Sequence, residues 1–227
     1  MRKHKHAGSP HSHEVVLHFS YPLFLNLSGK KAVVVGGGQV AERKAVRLLR
    51  AGAHVTLISP EITKKIALMK QHRKIRHIAR SYRKGDVKGA FLVIAATDSP
   101  FVNERVSQDA PCLVNVVDTP HLCNCIVPST MIRGPLKIAV STGGVSPALS
   151  RSIRAEIEKA YGNEFTRYLQ SLKKIRRDAM MMIHNKRERT SFLKCIASQE
   201  MVHKVRRKGF KEMRRTAEDL LKKAAGS

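Results

Sequence analysis

Three consecutive glycines, Gly36, Gly37 and Gly38, stand between a short β-branched run and a segment of helical periodicity, and no other feature narrows the possible folds so far. Ala32 to Val35 reads as a strand. Gln39 to Ala51 then carries Val40, Ala41, Ala45, Leu48 and Leu49 at helical spacing. Gly52 is placed to end that helix in a left-handed cap, and His54 to Ile58 reads as the next β-branched strand. The unit is therefore strand, tight loop, helix, strand, about 30 residues in all, the building block of parallel sheets.

Within Gly36 to Ala41 the pattern is G-x-G-x-x-A. The first glycine permits the tight turn, Gly38 lets the backbone approach a pyrophosphate, and Ala41 takes the helix-packing position usually held by a third glycine. A pyrophosphate would then rest on the N-terminus of the Gln39 helix, held by unpaired N–H groups and the helix dipole. A dinucleotide is the expected ligand. The carboxylate that commonly reads the ribose after the second strand is displaced, because Ser59 and Pro60 precede Glu61, so this chemistry leaves NAD and NADP both open.

Two further runs, Ala90 to Ala96 and Cys112 to Val117, are continuously apolar, as strands covered on both faces should be. Thr97 and Asp98 follow the first and Asp118 the second, which puts them at the carboxyl ends of strands, where open α/β sheets bind ligands. Beyond Pro120 the texture changes to short strands, Cys125 to Val127 and Leu136 to Ser141 after a Gly134-Pro135 turn, and a small antiparallel or swapped element is expected. Ser146-Pro147 is a strong helix start. The remainder reads as helical, with Phe165, Leu169, Leu172, Ile175, Ala179 and Ile183 packing at helical spacing. Thr142-Gly143-Gly144, just ahead of that helix start, is open to two readings: a carboxylate site or a plain turn and cap.

Lys and Arg number 43 against 17 Asp and Glu, giving a net charge of +26. Such a field attracts polyanions, and both nucleic acid and a small polycarboxylate fit it. The absence of Trp and the scarcity of other aromatics count against an RNA-stacking surface, so nucleic acid is the less favoured partner. No stretch approaches the roughly 18 apolar residues of a membrane span, and the N-terminus lacks an apolar signal core, so a cytoplasmic protein is expected. Cys112, Cys123, Cys125 and Cys195 show no disulfide framework, and Cys123 with Cys125 lacks the second ligand pair a zinc site needs. No resident metal is expected. Met1 to Glu14, with His4, His6, His11 and His13, reads as an unordered tail with incidental metal capture as its alternative.

Taken together, Val33 to Lys44, Ile94 to Asp98 with Asn103, Asn115 to Asp118, and Ser141 to Pro147 resemble precorrin-2 dehydrogenase, the N-terminal part of siroheme synthase. The resemblance runs from about Tyr21 to Tyr161. It implies NAD-dependent oxidation of precorrin-2 to sirohydrochlorin, in some members with Fe²⁺ inserted as a further substrate, carried out by a homodimer. It implies an α/β chain with a flexible tail at 1–20, a Rossmann domain at 21–117, a dimerisation region at 118–146 and a helical domain at 147–227. Cofactor contacts would fall on Gln39 and Val40, and on Pro60 and Glu61, beside the glycines and the strand-end Thr97 and Asp98. Asp118 would be the essential acid, with capping of the next turn as its structural alternative. Asn115, Ser141, Thr142 and Gly143 would line the substrate. His121 would help with proton or metal handling, or stand as an exposed loop histidine. Eight carboxylates on precorrin-2 give the basic composition a second explanation. Cys125 stands where the resemblance leads one to expect an aromatic.

Overall fold

A computed structural model describes residues 20–225. The histidine-rich segment lies outside them. The chain divides into two compact units, one ending at Val127 and one starting at Pro128.

In the first unit the strands β1 (Lys31–Val35), β2 (His54–Ile58), β3 (Ile75–Ile78), β4 (Leu92–Ala95) and β5 (Leu113–Val116) form one parallel sheet in the order β3-β2-β1-β4-β5. The alternation of a strand explains why β1 is apolar from Ala32 to Val35. Ala32 and Val34 pack on one face with Ala41, Ala45, Leu48, Leu57 and Ile66, while Val33 and Val35 pack on the other with Ile58, Val93, Val106 and Val114. The helix α1 (Gln39–Arg50) lies on the first face. It ends as its sequence demands, at Gly52 with φ +83°. Two more helices, α2 (Lys64–Gln71) and α3 (Pro100–Asp109), are capped by the side chains of Thr63 and Ser99.

The second unit opens with a hairpin, β6 (Ser129–Arg133) and β7 (Leu136–Val140). This corrects the expected strand at Cys125 to Val127, which forms no strand. The two-residue turn at Gly134-Pro135 pairs Arg133 with Leu136 and runs the register back to Ser129 opposite Val140, so the turn selects the partner of β7. Ser146 caps α4 (Pro147–Ala160), its hydroxyl accepting from the Leu149 amide. Three helices follow, α5 (Glu164–Met182), α6 (Lys186–Ile196) and α7 (Gln199–Ala225), the last broken at Gly209 with φ +79°. Phe165, Tyr168, Ile175, Ala179 and Ile183 share a core with Phe192, Ile196, Met201, Val205 and Met213. Tyr168 is buried at the centre of that core, while Leu169 of the expected stripe is only half-buried.

Candidate dinucleotide and substrate site

The sheet order reverses between β1 and β4, because the chain winds outward through β2 and β3 and then returns to the other side of β1. Loops leaving the carboxyl ends of those two strands therefore diverge and open a crevice there. The glycine loop fills this position after β1, and Thr97 and Asp98 fill it after β4.

Each glycine meets a different demand. Gly36 has φ +117°, and a Cβ on it would stand 2.2 Å from the Ala96 carbonyl oxygen, so only glycine lets β4 come this close. At Gly37 a Cβ would stand 1.8 Å from the Glu61 carbonyl oxygen and 2.7 Å from Ser59 Oγ. The loop after β2 is thus seated directly on the glycine loop, and the Thr63 amide donates to the Gly37 carbonyl at 3.1 Å to hold it there. At Gly38, by contrast, a Cβ would meet no atom within 4 Å. Open space lies in front of the first turn of α1, whose N-terminus no side chain caps. An uncapped helix start with open space before its first turn suits a pyrophosphate. The residues present fit a dinucleotide.

Gln39 is exposed and Val40 half-buried at this helix start, and Pro60 and Glu61 are exposed on the seated loop. Glu42, in the first turn of α1, accepts a 2.7 Å hydrogen bond from Thr63 Oγ1 and pairs with Lys65 at 3.2 Å. Those two bonds hold its carboxyl below the usual carboxylate range. The same Thr63 hydroxyl caps α2, so one side chain ties the starts of two helices together. Thr97 is occupied locally. Its hydroxyl donates to Asn103 Oδ1 at 2.8 Å, and the buried Asn103 returns a 3.0 Å bond to the Thr97 carbonyl. Asp98 is exposed beside it.

At the end of β5, Asp118 is exposed and has φ +58°, a left-handed conformation that side chains other than Asn and Asp rarely accept. The Asn115 amide donates to the Cys125 carbonyl at 3.0 Å, so half of that side chain is already engaged. His121 is exposed in a single 3₁₀ turn, Pro120–Leu122. On α1, Lys44 is largely withdrawn from water. That burial and the charge of Arg47 push its ammonium below the usual lysine range, against the opposing pull of Cys123, Asp118 and Cys125. Burial, with Cys123 and Cys112 close by, pushes the Cys125 thiol up to about 11, so it stays protonated at neutral pH.

Ser141, Thr142 and Gly143 belong to the second unit. Thr142 Oγ1 accepts from the Ser146 amide at 3.0 Å, and the Ser141 hydroxyl accepts from the Gly143 amide at 3.2 Å. Among the described residues no group of three His, Cys, Asp or Glu is placed to hold a metal ion. Sequence reasoning missed Gly37's contact, the Thr63 link and Lys44. The signal for Thr63 was available, since a threonine three residues ahead of Ile66 is an N-cap pattern.

Comparison with known proteins agrees with this geometry. Residues 23–129 match the family described as putative NAD(P)-binding, and residues 133–160 match that of the sirohaem biosynthesis protein central region. Fold and loop together define the class: a Rossmann-type, NAD(P)-binding α/β protein. The siroheme synthase of Methylobacillus flagellatus is 46% identical over 140 residues, 60% of this chain and 30% of that protein. That of Azotobacter vinelandii is 40% identical over 174 residues, 75% of this chain and 38% of that protein. The chain spans only about a third of the length of these relatives. A solved structure titled SirC, precorrin-2 dehydrogenase, superposes with a TM-score of 0.74 at 25% identity, covering 88% of this chain and all of that one. Within its class the chain is similar to about a third of siroheme synthase and, in fold, to a precorrin-2 dehydrogenase. Among the described residues no helix is long and apolar enough to cross a membrane.

Proposed function

We propose that this chain oxidises precorrin-2 to sirohydrochlorin, using NAD. The observation that carries the reading is the open space at Gly38 ahead of an uncapped helix, at the same carboxyl end of the sheet as Asp118. The nicotinamide, when bound, accepts a hydride. The reaction also releases a proton, and Asp118 is the group we assign to take it up. Gly36, Gly37 and Gly38 with Gln39 and Val40 would hold the pyrophosphate, and Thr97 and Asp98 would border the crevice. Pro60 and Glu61 would border the adenosine ribose. Glu61 supports NAD, since a carboxylate there accepts from a 2′-hydroxyl and repels a 2′-phosphate.

Asn115, His121, Ser141, Thr142 and Gly143 are assigned to the substrate. Its carboxylates suit the +26 charge of the chain. A homodimer is the assembly we favour, because the hairpin unit exposes Ile132, Val145 and Leu149, apolar groups a second copy would cover. Fe²⁺ as a further substrate is the finer question, answered by the same assay.

The test is an anaerobic absorbance assay with precorrin-2 and NAD⁺, NADP⁺ or neither, run beside Asp118→Asn. Sirohydrochlorin formed with NAD⁺, and formed slower by on the order of a hundredfold or more in the variant, is the expected result. Equal turnover with NADP⁺ would overturn the cofactor assignment, and a protein that binds dinucleotide yet leaves precorrin-2 unchanged would overturn the reaction. Adding Fe²⁺ after the first product forms reads chelation directly.

A further inference from the structure

The outer edge of β5 gives work to a thiol that the proposed chemistry does not use. β5 ends the sheet order, so one side of its backbone faces no strand. Side chains take the strand's place there. The Val114 amide donates to Asn124 Oδ1 at 2.7 Å, the Asn124 amide donates to the Val114 carbonyl at 3.1 Å, and Asn124 Nδ2 donates to the Cys112 carbonyl at 2.9 Å. One step nearer the carboxyl end, the Val116 amide donates to Cys123 Sγ at 3.1 Å. The thiol proton lies within reach of the Val116 carbonyl at 3.2 Å and the Thr119 carbonyl at 3.4 Å.

Val116 and Thr119 are the two ends of the turn that carries Asp118. The backbone bond closing that turn, from the Thr119 amide to the Val116 carbonyl, is long at 3.4 Å, and with the Thr119 hydroxyl, which donates to the Val117 carbonyl at 3.2 Å, it must hold a residue at φ +58°. A strained residue persists only where its surroundings over-determine it. The Cys123 thiol supplies that surplus, since it is buried at 9% exposure and touches both ends. Burial also pushes its titration up, which keeps the sulfur protonated and able to donate and accept at once.

We propose that Cys123 is a positioning residue for Asp118: its thiol pins both ends of the Val116–Thr119 turn and so fixes where the Asp118 carboxylate stands. The proposal rests on the reading of Asp118 as the acid of the dehydrogenation. Displacing a reacting group by about 1 Å costs on the order of a hundredfold in rate, and a loosened turn falls short of that full displacement.

The experiment compares Cys123→Ala, Cys123→Ser, Asp118→Asn and the C123A/D118N double variant in the full chain. Each is assayed for kcat with precorrin-2 and for dinucleotide Kd. C123A is expected to lower kcat roughly tenfold with Kd unchanged, C123S to recover most of it, and the double variant to be no slower than D118N alone. If C123A does not fold, Cys123→Val fills the site without the bonds and takes its place. A C123A enzyme with normal kcat, or a double variant slower than D118N by the full C123A factor, overturns the proposal alone. A fully active D118N overturns the acid reading itself, and the role of Cys123 with it.

Discussion

Replacing Gly37 and Gly38 in turn with alanine separates folding from dinucleotide binding, because the two Cβ atoms point into different surroundings. At Gly37 the new methyl would lie 1.8 Å from the Glu61 carbonyl oxygen, and backbone, not a pliable side chain, must retreat by about 1.6 Å before ordinary contact at 3.4 Å is restored. That loop is held by the Thr63 amide and by the cap of α2, so the retreat strains bonds that hold the sheet edge. Overpacking of this kind costs about 1–3 kcal/mol. For a chain of this size that corresponds to a fall in Tm of roughly 2–12 °C.

At Gly38 the backbone has φ −77° and ψ −174°, which alanine adopts freely, and no atom lies within 4 Å of its Cβ. Two small effects oppose each other. Alanine stiffens the unfolded chain, worth about 0.4–1 kcal/mol in favour of folding, and it is a poorer N-cap than glycine by a few tenths to about 1 kcal/mol. The Tm of G38A should therefore stay within about 2 °C of wild type. Its methyl group occupies the cradle, however, and NAD⁺ affinity should fall at least tenfold, about 1.4 kcal/mol. Differential scanning calorimetry and titration calorimetry with NAD⁺ and NADP⁺ read the two effects separately. A G38A protein that melts as early as G37A, or that binds dinucleotide as tightly as wild type, would refute the assignment of the cradle.

Asp118→Gly should raise Tm by an amount worth up to about 1 kcal/mol by relieving the left-handed strain, while Asp118→Asn should leave it unchanged; a D118G variant that melts lower would remove strain as a feature of this turn. Ser146→Ala should cost about 1 kcal/mol, seen as faster amide exchange over the first turn of α4 and not over α1. Asp86 accepts two 2.8 Å bonds from Arg80, and these hold its carboxyl below its ordinary value of 3.8. Because the folded value is the lower one, this stabilisation is complete above the ordinary value and is lost as pH falls through the folded one. Acid unfolding of Asp86→Asn should accordingly be flatter below about pH 4 than that of wild type, and identical slopes would show that the pair carries no linkage.

What could be read from the sequence and what could not divide along a physical line. The first βαβ unit was legible because strand and helix periods act between near neighbours, and Ala32 to Ile58 folds as its pattern requires. The tight turn at Gly36 and the helix start after Gly38 were legible for the same reason, since both are local demands. Gly37 was not, since what forbids a side chain there is the carbonyl of Glu61, brought in by a different strand. Cys125 to Val127 misled because three apolar residues carry a strand's composition, whereas strand pairing in that region is decided by the turn at Gly134-Pro135. The edge of β5 was the hardest to foresee. A thiol and an amide standing in for a strand repeat nothing along the chain, so no period announces them, and the two residues look like an isolated Cys-Asn pair. Asp118 could thus be put forward as the acid from its place at a strand end, while the thiol proposed to hold its turn came to notice only through the backbone bonds of β5.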